Sequence, residues 1–223
     1  MESKKNLSTN SVVLNVLSPD DLTEVLSLCT RRTFEKNEQI VRQMDTDNNI
    51  YFVESGGLGV ALFSDSGREV FYSELGEGDN FGELSAIDGG PRSASVTALC
   101  KSTLTIMPFA VFQDVMHKST SANIILMKQH AGIIRRLSER VYEFSTLGVD
   151  DRIRAELLRM ARKHTDLDGV ARIPSPPTHA QLANRLSCNR EAVSRELKRL
   201  ENRGVIYKKS GRWIIPDCGA LQK

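Results

Sequence analysis

Residues 178–202 read THAQLANRLSCNREAVSRELKRLEN, and this stretch determines the fold expected of the C-terminal third of the chain. Thr178 followed three residues later by Gln181 forms a capping box, which is typical of the start of a helix. Ser187-Cys188-Asn189 then predicts a tight turn, and a second helix is expected over residues 190–202. Two helices joined by so short a turn indicate a helix-turn-helix.

The apolar residues of both predicted helices fall on one face of each helix. They are Leu182, Ala183 and Leu186 in the first helix and Val193, Leu197 and Leu200 in the second. At about 100° per residue, the opposite face of the second helix carries polar side chains near its start. These are Arg190, Glu191, Ser194 and Arg195. Arginine can make two hydrogen bonds to guanine, and glutamate can accept one from cytosine, so these side chains are predicted to read base edges in the major groove of DNA. Thr178 and Asn189, at the starts of the two helices, are further predicted DNA contacts.

A basic hairpin is predicted directly after these helices. Gly204 ends the second helix, and residues 205–215 read VIYKKSGRWII, two short strands around a Ser-Gly turn. Lys208, Lys209 and Arg212 flank the turn and suit contacts with DNA phosphates. The alternative is a structural three-helix domain with a solvated charged face. The order helix, turn, helix and hairpin favours DNA binding.

The middle of the chain has the pattern of short antiparallel strands. Residues 51–53, 59–63 and 70–72 read YFV, GVALF and VFY, and nine of the 15 glycines fall between Gly56 and Gly90. Closely spaced strands and turns are typical of an antiparallel barrel or sandwich. We therefore expect a β-roll rather than a Rossmann sheet.

Helices are predicted on both sides of this β region. Ser18-Pro19 has the pattern of a helix start, and further helices are expected over residues 109–118 and 122–146. The last carries a coiled-coil-like seam of apolar residues: Ile134, Leu137, Val141 and Phe144. We expect this seam to form a dimer; packing against the chain's own β-roll is the alternative. Gly148 is predicted to be a hinge before a new helix start at Asp150-Asp151.

Charge is distributed unevenly along the chain. Residues 1–149 carry 14 Lys and Arg against 19 Asp and Glu, whereas residues 150–223 carry 16 against 9. A basic C-terminal third on an acidic body suggests that only this third meets a polyanion. No apolar run approaches the length of a membrane-spanning helix, and the first residues do not resemble a secretion signal. A cytoplasmic protein without a membrane partner is therefore expected.

Metal sites and enzyme chemistry are not expected. The four cysteines, at 29, 100, 188 and 218, lack CxxC spacing, so they are expected to be reduced, buried thiols rather than zinc or iron–sulfur ligands. The four histidines show no HExxH spacing, and GxSxG is absent, so no catalytic residue and no metal ligand is predicted.

Two segments resemble the Crp/Fnr family of bacterial transcription regulators, and the likeness extends over nearly the whole chain. Residues 188–195, CNREAVSR, look like that family's recognition helix. Ser187 stands where many members have glycine, and we expect a slightly different turn geometry there. Residues 81–96, FGELSAIDGGPRSASV, are similar to the phosphate-binding cassette of cyclic-nucleotide-binding domains.

The cassette residues make chemical sense as a nucleotide site. Gly82, Glu83 and Leu84 can begin a short helix whose free N–H groups favour a phosphate. Arg92 offers a charged fork and Ser93 a hydroxyl donor to the phosphate oxygens. The resemblance implies that the Glu83 carboxylate accepts the ribose 2′-hydroxyl. The alternatives are a Glu83–Arg92 salt bridge, or a cassette that serves only packing.

The resemblance implies a complete functional scheme. The expected fold is α+β, with a cyclic-nucleotide-binding, jelly-roll-like β-roll at 1–120, a dimerisation helix at 121–147 and a winged helix-turn-helix at 148–223. The effector would be cAMP or cGMP, with cAMP favoured and cyclic di-GMP disfavoured. Arg136 or Ser138 of the long helix would lie near the base. The partners would be double-stranded DNA with a pseudo-palindromic operator, a second copy of the chain and RNA polymerase. The alternative is a regulator of the same fold with another effector or none.

Overall fold

The computed structural model describes residues 11–64 and 69–222. The chain divides into two compact units, residues 1–134 and 135–223. The domain boundaries expected from the sequence stay a prediction. Among the described residues, no helix combines the length and the apolarity needed to cross a bilayer.

The first unit is a sandwich of two antiparallel four-stranded sheets. The strands are β1 (Thr30–Phe34), β2 (Gln39–Val41), β3 (Ile50–Ser55), β4 (Gly57–Phe63), β5 (Glu69–Gly76), β6 (Asn80–Phe81), β7 (Ser95–Ala98) and β8 (Ser102–Met107). One sheet has the order β1-β8-β3-β6 and the other β2-β7-β4-β5. Apolar side chains from both sheets, among them Phe34, Val53, Leu58 and Leu104, form the core between them. The predicted β-roll is confirmed.

Four helices accompany this sandwich. They are α1 (Pro19–Ser27), α2 (Glu83–Asp88), α3 (Phe109–Lys118) and α4 (Thr120–Thr146). The Ser18 side chain accepts a hydrogen bond from the Asp21 amide, so the predicted cap of α1 is present. A second core joins the helices to β3 and β8, and its members include Val25, Phe52, Met107, Phe112, Ala122 and Leu126. This core fixes the beginning of α4 against the sandwich.

The second unit is a small helical domain with a three-stranded sheet. It contains the end of α4, then α5 (Val149–Lys163), β9 (Ala171–Ile173), α6 (His179–Leu186), α7 (Arg190–Asn202), β10 (Tyr207–Lys209) and β11 (Arg212–Ile215). The antiparallel sheet has the order β10-β11-β9. Its core includes Ile153, Leu157, Leu182, Leu186, Val193, Leu197, Leu200 and Trp213, so the apolar faces predicted for α6 and α7 are buried. Helix α5 begins at Val149, one residue before the predicted start, with Gly148 as its N-cap.

A charged network joins the end of α4 to α5 and α6. The buried carboxylate of Glu156 on α5 lies 3.2 Å from Arg140 of α4 and 2.7 Å from Arg159. Arg140 also donates to the carbonyl of Arg185, near the end of α6, at 3.2 Å. Arg159 completes the network with a 2.5 Å ion pair to Glu143 of α4. These contacts hold the last turns of the long helix against the first helix of the helix-turn-helix.

The turn between α6 and α7 contains a serine in an unusual backbone conformation. Ser187 adopts φ +48° and ψ +47°, the left-handed conformation that glycine favours. Serine thus takes up a strained conformation at this turn, and the expected difference in turn geometry from other family members stays a prediction. The four cysteines differ from expectation: all are free, but Cys100 is exposed and the others are half-buried.

Ser187→Gly is expected to stabilise the second unit by a few tenths to about 1 kcal/mol, because glycine removes the left-handed strain but adds entropy to the unfolded chain. Ser187→Ala is the matched control, since it loses the hydroxyl and keeps the strained Cβ. Thermal unfolding of the three proteins measures the effect. Equal melting temperatures for Ser187→Gly and Ser187→Ala would contradict the strain argument.

Candidate functional site

Helices α6 and α7 are both capped by side chains at their N-termini. Thr178 Oγ1 accepts from the Gln181 amide at 3.2 Å, and Gln181 Oε1 accepts from the Thr178 amide at 2.8 Å, so the capping box is confirmed. Asn189 Oδ1 accepts from the Ala192 amide at 2.8 Å and caps α7. These caps fix the starting point and direction of each helix.

The polar face of α7 carries the predicted base-reading residues. Arg190, Glu191 and Arg195 are exposed, whereas Val193 and Leu197 on the other side are buried. The surface therefore offers both donors and an acceptor at the start of one helix. This is the arrangement that direct readout of base edges requires.

Ser194 has two polar neighbours that the sequence did not indicate. Its hydroxyl oxygen lies 3.0 Å from the carbonyl oxygen of Arg190 and 2.8 Å from Nδ1 of His179. His179 is the first residue of α6, 15 positions away in the sequence, so no local pattern could reveal the pair. Burial lowers the pKa of His179, and the positive charges of Lys208 and Arg190 lower it further. These effects favour the neutral imidazole, against an opposing contribution from Glu201.

The basic hairpin forms as predicted. Ser210 and Gly211 have φ of +51° and +73°, the pair of left-handed residues that a two-residue type I′ turn needs. Lys208, Lys209 and Arg212 are exposed on either side of this turn. Lys208 lies 3.3 Å from Glu201 at the end of α7, which ties the hairpin to that helix.

In the first unit, the second residue of the cassette is a glycine whose surroundings leave no room for a side chain. Gly82 has φ +90°, and a Cβ there would lie 2.5 Å from Nη1 of Arg92 and 2.7 Å from the carbonyl oxygen of Asn49. Helix α2 begins at the next residue, Glu83. Glycine therefore allows the arginine to lie directly against the backbone before α2.

Arg92 is almost completely buried, with 2% exposure, and its guanidinium makes four hydrogen bonds. It donates through Nε and Nη2 to the two oxygens of Asp47, through Nη1 to the Gly82 carbonyl at 2.9 Å and through Nη2 to the Asn49 carbonyl at 2.7 Å. Arginine has five N–H groups, so one of them is left for a further acceptor. The Asp47 carboxylate therefore occupies the pair of donors, Nε and Nη2, that could otherwise bind two oxygens of a phosphate.

Glu83 pairs with a histidine rather than with Arg92. It is 7% exposed, and its Oε1 lies 3.4 Å from Nε2 of His130 on α4. Its buried Oε2 has no hydrogen-bond partner among the residues that the structure describes. An unsatisfied buried carboxylate oxygen is costly, so this atom is well suited to accept a hydroxyl from a ligand.

The other predicted ligand contacts are all accessible. Leu84 and Ser93, both within the cassette, are exposed. Arg136 and Ser138 are exposed on the part of α4 that belongs to the second unit. Their contact with a base stays a prediction.

The His130–Glu83 pair is expected to make the stability of the first unit depend on pH. The hydrogen bond to Glu83 raises the pKa of His130 above its ordinary value of 6.5, while burial opposes the shift. The stabilisation is therefore complete below about pH 6.5 and is lost as the pH rises through the higher folded-state pKa.

Thermal unfolding of the wild type and His130→Gln from pH 5.5 to 8.5 tests this expectation. The melting temperature of the wild type should exceed that of His130→Gln by the largest amount at pH 5.5. His117→Gln is the control, because His117 is exposed and its imidazole bonds to the carbonyl of Gln113 on its own helix. A difference between wild type and His130→Gln that grows as the pH rises would contradict the sign of the shift.

Comparison with known proteins identifies two domains in the chain. A model of the cyclic nucleotide-binding domain matches residues 31–119, and a model of the Crp-like helix-turn-helix domain matches residues 151–223. The chain belongs to the Crp/Fnr family. Crp/Fnr proteins are transcription regulators, so this chain is a regulator and not an enzyme.

Two known regulators are similar to this chain over most of its length. The cAMP-activated global transcriptional regulator Vfr of Pseudomonas aeruginosa is 25% identical over 198 residues, which is 87% of this chain and 92% of Vfr. The cAMP-activated global transcriptional regulator CRP of Escherichia coli is 28% identical over 185 residues, 81% of this chain and 87% of CRP.

Solved Crp/Fnr structures share the fold. FixK2 from Bradyrhizobium japonicum has a TM-score of 0.74 at 18% identity and covers 87% of this chain and 96% of its own. A CooA mutant from Carboxydothermus hydrogenoformans has a TM-score of 0.79 at 17% identity, and the match covers 97% of this chain and 95% of the CooA chain. At these identities the likeness establishes the architecture alone.

Proposed function

We propose that this Crp/Fnr regulator binds DNA as a homodimer with sequence preference and is controlled by a cyclic nucleotide, with cAMP favoured over cGMP. One observation carries the proposal of nucleotide binding: the same cassette contains a buried arginine and, close to it, a buried carboxylate oxygen without a hydrogen-bond partner among the described residues. Arg92 bonds the carbonyl of Gly82, and Glu83 is the next residue. Similarity to two cAMP-activated regulators supports the same ligand class.

The two groups suit the two polar parts of a cyclic nucleotide. The phosphate would take over the forked edge of Arg92 from Asp47 and accept from Ser93, because charge-assisted bonds to a phosphate are strong. The Glu83 carboxylate would accept the ribose 2′-hydroxyl. Arg136 or Ser138 is proposed to contact the base.

The proposed dimer would form along α4. Ile134, Leu137 and Val141 are spaced at coiled-coil steps, and Ile134 and Val141 are 62% and 67% exposed in the single chain. A second copy of α4 would remove these apolar side chains from water. Two recognition helices related by a two-fold axis would then read half-sites about one helical turn, roughly 34 Å, apart on a pseudo-palindrome.

Control of DNA binding requires two states with different ligand affinity. We place the difference between them at the α4–α5 connection, where Gly148 caps α5 and the Glu156 network joins both helices. RNA polymerase is proposed as a further partner, and the cytoplasm as the compartment, because the chain regulates transcription.

Calorimetric titration of the full chain with cAMP, cGMP and cyclic di-GMP tests the ligand. We expect one cyclic mononucleotide to bind with one site per chain, and sedimentation analysis to give a dimer. Glu83→Gln should weaken binding of the cyclic mononucleotide and leave the dimer intact. Binding of none of the three nucleotides would favour the alternative, a Crp/Fnr regulator with another effector or none.

A further inference from the structure

The hydroxyl of Ser194 can donate only one hydrogen bond, and its own helix supplies an acceptor. The oxygen lies 3.0 Å from the carbonyl oxygen of Arg190, one turn earlier in α7. A carbonyl oxygen can only accept, so the serine hydrogen is used in this bond. Any other hydrogen bond of Ser194 in this rotamer must be one that its oxygen accepts.

In the arrangement in which Ser194 donates to the Arg190 carbonyl, His179 is the donor of the second bond. Its Nδ1 lies 2.8 Å from the Ser194 oxygen. With the serine hydrogen donated to that carbonyl, the imidazole hydrogen lies on Nδ1. This is the donor atom in the neutral ring with that tautomer, and also in the protonated ring.

Ser194 consequently has one lone pair left for DNA. A serine that rotates freely can bond to either donors or acceptors on base edges, so it discriminates poorly. A serine whose hydrogen is held can only accept. In the major groove, the donors on base edges are the amino groups at N6 of adenine and N4 of cytosine.

We propose that His179 is a positioning residue that makes Ser194 a selective acceptor, so that this part of α7 prefers a base with an exocyclic amino group in the major groove. The proposal rests on the proposed DNA-binding function. It adds a residue outside the recognition helix to the determinants of sequence preference. The hydrogen bond to Ser194, one of the predicted DNA contacts, places His179 beside the same surface.

Selection of half-sites from a randomised operator tests the proposal with the full-length protein and its matched variants. His179→Asn keeps an N–H donor close to the position of Nδ1, His179→Phe keeps a ring without the donor, and Ser194→Ala removes the acceptor. The wild type and His179→Asn should select adenine or cytosine at one position. His179→Phe and Ser194→Ala should lose that preference and keep the preferences at the other positions.

A chemical substitution in the DNA gives a second readout. Where the wild type selects adenine, replacing that base with purine, which lacks the amino group, should weaken binding about tenfold. The same change should leave the affinity of Ser194→Ala and His179→Phe nearly unchanged. Where the wild type selects cytosine, its 4-deamino analogue serves the same purpose. Thermal unfolding of each variant confirms that it is folded.

Two outcomes would overturn the inference. One is a His179→Phe variant that keeps the wild-type preference, and the other is a Ser194-dependent preference for guanine or thymine. Affinity for the whole DNA pool is measured in the same experiment. If the wild type binds no member of the pool, the proposed function itself fails, and this result is distinct from a lost preference at one position.

Discussion

Arg92→Gln is expected to weaken cyclic-nucleotide binding by about 100-fold or more. The guanidinium supplies the forked, charged donor edge for the phosphate, and each charge-assisted hydrogen bond contributes about 1.5–3 kcal/mol. Glutamine keeps part of the volume but has neither the charge nor the fork. Calorimetric titration with cAMP and cGMP measures the loss.

Asp47→Asn is the matched control and should act in the opposite direction. Asp47 occupies the forked edge of Arg92, so its carboxylate competes with the ligand phosphate. Removing that charge should tighten nucleotide binding by about tenfold, because an ion pair no longer has to be broken. It should also lower the melting temperature without ligand, since a buried arginine loses its counter-ion, and ligand should restore it. Wild-type affinity in Arg92→Gln, or weaker binding in Asp47→Asn, would contradict this account of the cassette.

Arg190→Ala is expected to lose most of the preference for the correct operator over an operator mutated at one base pair. A bidentate arginine–guanine contact contributes about 1–3 kcal/mol of discrimination, which corresponds to roughly 5–150-fold. Binding to unrelated DNA should change much less, because that binding comes from phosphate contacts. Gel-shift titrations with both operators give the ratio directly.

Lys209→Ala should lower the overall affinity for DNA, in contrast to the loss of specificity expected for Arg190→Ala. Lys209 is exposed next to the hairpin turn, where it can neutralise a phosphate. Its loss should weaken binding to all sequences alike and reduce the slope of log affinity against log salt by about 1. Full specificity in Arg190→Ala would mean that another residue reads the base assigned to Arg190.

The parts of the fold that were predicted from the sequence are those that local chemistry determines. Helix α7 begins at Arg190 and ends at Asn202 as expected, because an N-cap at Asn189 and apolar residues at helical spacing act within a few positions. The hairpin turn at Ser210-Gly211 follows from two adjacent residues in the same way.

The contacts that govern the candidate nucleotide site were not predictable in this way. Asp47 lies in the connection between β2 and β3, 45 positions before Arg92, and the pair meets only because the sheets bring the two segments together. Glu83 and His130 are 47 positions apart and meet for a similar reason, since α4 packs on the sandwich. Motif recognition pointed to the cassette residues but gave no information about what they bond to.

Affinity of the full-length protein for its selected operator, with and without cAMP and cGMP, tests the central proposal most directly. The protein saturated with one of these two nucleotides should bind the operator at least about tenfold more tightly than the nucleotide-free protein. A tenfold change is the scale of an ordinary allosteric coupling. Glu83→Gln, at a concentration of nucleotide that saturates only the wild type, should show no such gain. Equal operator affinity with cAMP, with cGMP and with no nucleotide would contradict control by a cyclic nucleotide.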